Sequence, residues 1–299
     1  MTAIRINPYP IPDLLSALAQ SQQQQQTDLL QLATGRKINQ PSDDPAGAAQ
    51  LVQNLDQQSQ ADSFQRSMSS VNGQLSTADS TLNSVTTALQ RAISLGTEGA
   101  NGTLSDSDRA SVATEVQGIQ AQLISLANTA YQGSYVFSGT AQVQPFVADS
   151  SQPSGVRYDG NTGVNQVAIG NGYSLAVNVP GSQIFAAPGS DVFQSINDLI
   201  TALQTNSNIG GAVNEVDTAY NYVTQQRVFY GNGMNQITDQ QNNLNTETVN
   251  LSSQENTIAG ADLSTVISNL VNSQTARQAT LQAIGQTTQL NLFNFLPPA

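Results

Sequence analysis

Histidine, cysteine and tryptophan are absent from the 299-residue chain, and Lys37 is its only lysine. Metal sites built on imidazole or thiolate, cysteine nucleophiles and a Ser-His-Asp triad are therefore impossible. Lys37 lies in no G-x-x-x-x-G-K-[ST] loop, which excludes a P-loop. Carboxylates, serines and tyrosines remain. Glycoside hydrolysis needs two acids in one cleft, whereas the acids here are spread along helical stretches. The adjacent pair Asp43-Asp44 suggests a cation, but a calcium loop needs more oxygen ligands at regular spacing. A capping role fits better: Pro45 suits the first helical position, which makes Asp44 the N-cap of one helix and Gly35 the stop of the helix before it. Gly170-Asn171-Gly172 is too short for a dinucleotide loop and follows no βαβ pattern, so it reads as a hairpin turn. No catalytic, cofactor or metal site is expected, and an enzyme is the weakest functional class.

The charge balance narrows the partners. Nine Lys+Arg against 21 Asp+Glu give a formal net charge of -12, and no basic stripe interleaved with aromatics could neutralise a row of phosphates. No apolar run reaches the ~18 residues of a membrane span. Pro8, Pro10 and Pro12 stand where a signal peptide would carry its apolar stretch, so classical secretion is not indicated. Aromatics are 5% and charged residues 10%, while Gln numbers 38 and Asn 27. Such a surface is rich in hydrogen-bonding groups and weak in mutual repulsion, which suits side-by-side association.

Periodicity decides against a disordered amide-rich chain. Phe64, Met68, Val71, Leu75, Ala78, Leu82, Val85, Leu89 and Ala92 alternate spacings of four and three, a heptad seam. Val112, Val116, Ile119, Leu123, Leu126 and Ala130 keep the same alternation after a Ser/Asp-rich start at 105–108 suited to an N-cap. A longer seam runs from Val213 to Ile258, with polar residues at Arg227, Gln241, Thr248 and Glu255 that read as register-setting positions. A shorter amphipathic helix covers Val192 to Leu203, beginning after Ser190 or Asp191. Between about 134 and 187 the texture changes to short β-prone pieces with turns at Asp159-Gly160 and Asn171-Gly172. A hairpin over 135–147 is expected at the base of this insert. The fold class is mainly α: an elongated coiled-coil-like bundle with paired N- and C-terminal helices and a small inserted β-rich domain. The expected division is an inner terminal-helix domain (1–40 and 261–299), a helical bundle with a β-hairpin (41–147 and 188–260) and a β-rich insert (148–187).

The two ends belong together. Ile11, Leu14, Leu15 and Leu18, a gap holding five glutamines at 22–26, then Leu29 and Leu32 are mirrored by Leu263, Val266, Ile267 and Leu270, a gap with Gln274 and Arg277, then Leu281 and Ile284. Pairing 18 with 281, 29 with 270 and 32 with 267 keeps the sum of residue numbers constant, the condition for antiparallel pairing at matched height. A two-helix stalk interrupted by glutamines buries little, and short helices are marginal without cover for their apolar face. The ends are thus expected to be loosely ordered alone and to settle when neighbouring helices cover them. The apolar tail Leu290, Leu292, Phe293, Phe295 and Leu296 is a further candidate docking element. The expected assembly interface is Leu14, Leu18, Leu29, Leu32, Leu263, Ile267, Leu270, Leu281, Ile284, Leu292, Phe293, Phe295 and Leu296. Arg36 and Lys37 form a local positive spot, open to a neighbour's carboxylates or to solvent.

Leu32-Ala33-Thr34-Gly35-Arg36-Lys37-Ile38-Asn39-Gln40-Pro41-Ser42-Asp43-Asp44-Pro45-Ala46-Gly47 resembles the helix-break motif of the bacterial flagellin-like family, in the PSDDP form of its hook-associated, hook-filament junction branch. Tyr135-Val136-Phe137-Ser138-Gly139-Thr140 is similar to that branch's YxFSGT element, and Leu290-Asn291-Leu292-Phe293-Asn294-Phe295-Leu296 to its C-terminal ending. The chain departs from the family at Asn7-Pro8-Tyr9-Pro10-Ile11-Pro12, which delays the first helix, and at Pro297-Pro298-Ala299. The resemblance implies an inter-domain joint at Gly35, Pro41, Ser42, Asp43, Asp44 and Pro45. It also implies a structural adaptor between a hook-side junction protein (hook-associated protein 1) and flagellin, arrayed with copies of itself in a ring or helix. The subunit would be extracellular, exported through the flagellar type III channel without a cleavable signal, with a chaperone on its C-terminal helix. Two other readings are a filament-forming flagellin and a helical-stalk adhesin whose β insert grips a ligand.

Overall fold

The computed structural model describes residues 10–293. Seven helices carry most of them: α1 (Pro10–Thr34), α2 (Pro45–Gly99), α3 (Asp106–Ala127), α4 (Gly181–Phe185), α5 (Val192–Thr205), α6 (Ile209–Ala259) and α7 (Leu263–Phe293). Six short strands lie between α3 and α4. The chain divides into two compact units, one built from the residues up to 59 and from 247 onward, the other from 60–246.

In the 60–246 unit the heptad positions form one core. Met68, Leu75, Leu82, Leu89 and Ala92 of α2 have no exposed surface, nor do Val116, Leu123, Val216 and Val223. A 3.5-residue period keeps one stripe facing the same neighbour over many turns, and burial of that stripe holds the long helices together. Ser105 caps α3, its hydroxyl accepting from the Asp108 N–H at 3.2 Å, and Asp191 caps α5, accepting from the Gln194 N–H at 2.8 Å. Both starts fall where the sequence places them. The polar seam residue Arg227 donates from Nε and Nη2 to Asp79 at 2.9 and 3.2 Å and from Nη1 to Asn83 Oδ1 at 3.0 Å. A bidentate bridge of this kind fixes the height of α6 against α2.

The strands form three separate antiparallel pairs: β1 (Ala130–Tyr131) with β2 (Ser134–Tyr135), β3 (Phe146–Ala148) with β4 (Val156–Tyr158), and β5 (Gln166–Gly170) with β6 (Tyr173–Ala176). The Asn171-Gly172 turn joins β5 to β6, as expected. The hairpin expected over 135–147 does not form. Tyr135 pairs back with Ala130, while Phe146 pairs forward with Tyr158, so Asp159-Gly160 follows a strand without joining it to the next. Aromatic packing explains the choice. The Phe146 ring lies 5.0 Å from Tyr158 across the ladder, 5.3 Å from Phe185 and 5.2 Å from Phe193, a cluster that pairing with Tyr135 would not build. The strands and the helices of this unit share one apolar cluster.

Candidate functional site

The expected assembly interface lies in the other unit, where α1 packs against α7. In α1 the sheltered positions include Ile11, Leu14, Leu18, Ser21, Gln25 and Asp28, with Thr27 and Gln31 beside them; in α7 they include Val266, Leu270, Ser273, Thr280 and Ile284, with Ala283 beside them. The α1 set steps by threes and fours, and the α7 set does so except between Ser273 and Thr280. The Ser21 hydroxyl donates to the Ser273 carbonyl at 2.9 Å, and Arg277 Nη1 donates to Gln25 Oε1 at 3.0 Å. The helices run antiparallel, with Gly35 at the end of α1 bonded to Ala261 just before α7. The middle of this seam is polar. Asp28 is 1% exposed and accepts from Gln24 Nε2 at 2.9 Å.

The leucines that the sequence pattern pairs are unevenly sheltered. Leu29 is 47% exposed and Ile267 50%, and Leu32, Leu263 and Leu281 are exposed as well. Leu14, Leu18, Leu270 and Ile284 are half-buried. The seam is narrow and polar in its middle, where the glutamine gap of α1 meets the gap of α7 through Gln25 and Arg277, and a second apolar face is left outside it, to which Leu15, Leu30 and Val271 add exposed surface. A helix stripe two residues wide per turn buries against one partner, and the extra leucines of this sequence exceed that width. Leu292 and Phe293 lie at the end of α7; Phe295 and Leu296 fall outside the described residues.

Both helix ends are fastened at one joint. Gly35 takes φ +69, the left-handed conformation a helix stop requires. The Lys37 N–H donates to the Ala259 carbonyl at 2.7 Å and the Ala261 N–H to the Gly35 carbonyl at 2.9 Å, a short antiparallel bridge between the two chain breaks. Asp43 Oδ2 accepts from the Asn39 and Gln40 N–H groups, each at 2.9 Å. These backbone donors hold its carboxyl below the usual range. Asp44 Oδ1 accepts from the Ala46 and Gly47 N–H groups at 3.1 and 3.0 Å, the N-cap of α2. Asp262 does the same for α7, accepting from Ser264 and Thr265, and its carboxyl is also lowered, first by the Thr265 hydroxyl and then by the N–H donors. Pro41, Ser42 and Pro45 are exposed around this loop, with Ile38 buried beneath it. Arg36 is ion-paired with Glu255 of α6, and Lys37 Nζ donates to the Thr257 carbonyl at 3.4 Å, so the positive spot is engaged within its own chain.

The Tyr135–Thr140 element has partners that the sequence does not advertise. Asn161 Oδ1 accepts from the Thr140 N–H at 2.8 Å, and the Asn161 N–H donates to the Ser138 carbonyl at 3.0 Å. Gly139 has φ +74, and a Cβ there would sit 2.3 Å from the Asn161 carbonyl oxygen. Asn178, 2% exposed, accepts from the Asn165 N–H at 2.7 Å and donates to the Gly163 carbonyl at 3.1 Å. In a chain this rich in amides, nothing in composition or spacing separates these two asparagines from the rest. Among the described residues, no group of three or more Asp or Glu could hold a metal, and no helix is long and apolar enough to cross a membrane.

Comparison with known proteins fits this arrangement. Residues 12–142 match the bacterial flagellin N-terminal helical region and residues 213–296 the bacterial flagellin C-terminal helical region. The chain is 30% identical over 292 residues to flagellar hook-associated protein 3 of Salmonella typhimurium, covering 88% of this chain and 90% of that protein. A putative flagellar hook-associated protein of Vibrio parahaemolyticus superposes with a TM-score of 0.58 at 25% identity, over 73% of this chain and 97% of the other. The flagellar junction protein of Legionella pneumophila shares the fold with a TM-score of 0.61 at 15% identity, over 71% of this chain and all of that one (100%).

Proposed function

Because this chain belongs to the bacterial flagellin family, in the group of flagellar hook-associated protein 3, we propose that its paired terminal helices are the surfaces by which it couples the hook side of a flagellum to the filament side. It is a structural subunit of the hook-filament junction, not an enzyme. The observation that supports the helices as its working part is the apolar face left outside the α1–α7 seam, with Leu29 at 47% and Ile267 at 50% exposure. Several exposed leucines and isoleucines on neighbouring helices are the kind of surface on which a partner docks. The interface is then the set Leu14, Leu18, Leu29, Leu32, Leu263, Ile267, Leu270, Leu281 and Ile284, continued by Leu292, Phe293, Phe295 and Leu296. The subunit's neighbours are copies of itself, hook-associated protein 1 on the hook side and flagellin on the filament side. Each contact joins one patch to a different patch on the next subunit, an open arrangement that stacks around an axis. Before assembly an export chaperone covers the C-terminal helix, and the mature subunit lies outside the cell. Under this reading residues 1–40 and 261–299 are the inner domain, 41–147 and 188–260 the bundle, and 148–187 the outer insert.

The test is genetic and structural together. Deleting residues 270–299 is expected to leave cells with hooks but no attached filaments. Leu29→Gln with Ile267→Gln is expected to do the same while leaving the melting temperature of the purified chain unchanged, because neither side chain is buried in the lone subunit. Normal filament attachment by both variants would reject the interface. Long self-propagating filaments grown from the purified chain would replace it with a flagellin role.

A further inference from the structure

A polar cavity of ≈ 300 Å³ lies in the 60–246 unit, between Gln74 of α2, the β1–β2 turn and the Ser138–Ala141 loop. It is independent of the terminal helices and of the assembly they carry out. No charged residue lines it. Tyr131 and Tyr135 supply two aromatic rings, and Gln74, Gln132, Gln142 and Thr140 supply amides and a hydroxyl. The Gln74 and Gln142 side chains and the Tyr135 hydroxyl make no hydrogen bond to the described residues, although Gln74 and Tyr135 are half-buried. These groups are free to bond a molecule that enters.

The wall is built with some strain. Gln132 has φ 50 and Gly133 φ 84, a two-residue turn that favours Asn or Gly at both positions. A glutamine held there costs free energy, and such residues persist where the surroundings or a function demand them. Its Nε2 donates to the Tyr131 hydroxyl at 3.2 Å. Gly73 of α2 makes room for that hydroxyl, since a Cβ at residue 73 would lie 2.2 Å from it. Tyr131 is thus fixed against the helix with its polar end tied.

Ligand chemistry follows by elimination. A charged group would find no counter-ion here. A purely apolar molecule would strip water from the half-buried Gln74 amide and Tyr135 hydroxyl without replacing its hydrogen bonds. An extended peptide needs an open sheet edge or a long groove, and this cavity is compact, at the small end of ligand pockets. A small uncharged molecule with many hydroxyls and a weakly apolar face fits amides, hydroxyls and tyrosine rings together. We infer that this cavity binds a neutral pyranose sugar, with Gln74, Gln142 and Tyr135 bonding its hydroxyls and the tyrosines meeting its C–H face.

Isothermal titration and saturation-transfer NMR on the full chain would use glucose, galactose, mannose and N-acetylglucosamine, with glucuronate as the charged comparison. At least one neutral sugar is expected to bind in the millimolar range or tighter, and to shift the side-chain amide signals of Gln74 and Gln142 in the unaltered protein. Tyr135→Phe and Gln74→Leu should each weaken that binding about tenfold at an unchanged melting temperature. Absence of binding by all four neutral sugars at tens of millimolar, equal or tighter binding of glucuronate, or amide shifts confined to other residues would overturn the assignment.

Discussion

Asp43, Asp262 and Asp191 show one side chain type under three settings, and their titration separates them. At Asp43 and Asp262 the N–H and hydroxyl donors stabilise the charged form and lower both carboxyls. Their contribution to stability is complete above the usual value of 3.8 and is lost as pH falls through their lower folded values. At Asp191, burial outweighs the bonds from Gln194 and Phe193 and raises the carboxyl. Its preference for the fold is complete below the usual value and is lost as pH rises through the raised one. Carboxyl-carbon NMR should find midpoints below 3.8 for Asp43 and Asp262 and above it for Asp191; the reverse order would contradict the capping geometry. Removing the cap at Asp44 by Asp44→Ala should cost about 1 kcal/mol in denaturant unfolding. Asp44 and Gly35 are legible in sequence because Asp-Pro before an apolar run and Gly after one have local meanings. Asn161 and Asn178 are not, because their partners lie many residues away.

At the level of the helices, the heptads name their own buried face, and the one misplaced position is Ala130, which stands exposed in β1 because α3 stops at Ala127. Leu82, fully buried in α2, should cost about 2–5 kcal/mol when replaced by alanine. Leu29→Ala in α1 should stay within about 0.5 kcal/mol in the lone chain, and thermal or denaturant unfolding compares the two directly. Hydrogen exchange gives a second measure. Amides of α1 and α7 are expected to exchange faster than those of α2 and α6 within 60–246, because the terminal seam is narrow and holds Ser21, Gln25, Asp28 and Ser273 at its centre. Equal protection would mean that the ends need no neighbour. Strand pairing was less legible. The β-prone pieces at 156–158 and 173–176 are visible, but which strand each one joins depends on the Phe137, Phe146, Phe185 and Phe193 rings, brought together from α4, α5 and the strands' own loop.

For the whole molecule, buried apolar surface is unevenly shared. The 60–246 unit holds a continuous core from Ala61 to Leu244, while the buried apolar residues described in the other unit are Ile38, Leu251, Ala259 and Val266. Brief proteolysis of the purified chain should therefore cut first within α1 and α7 and leave a fragment containing 60–246, identifiable by mass spectrometry. Initial cleavage inside 60–246 would contradict this ordering. The sequence by itself determined what is absent from the chemistry, where the long helices run and how their ends are capped, because these follow from residue type and from spacing along the chain. Only the tertiary structure decided which leucines of the terminal helices stay outside, how the strands pair and which asparagines hold the Ser138–Thr140 loop. Each of those depends on what a side chain meets after the chain has turned back, and local pattern carries no record of that meeting.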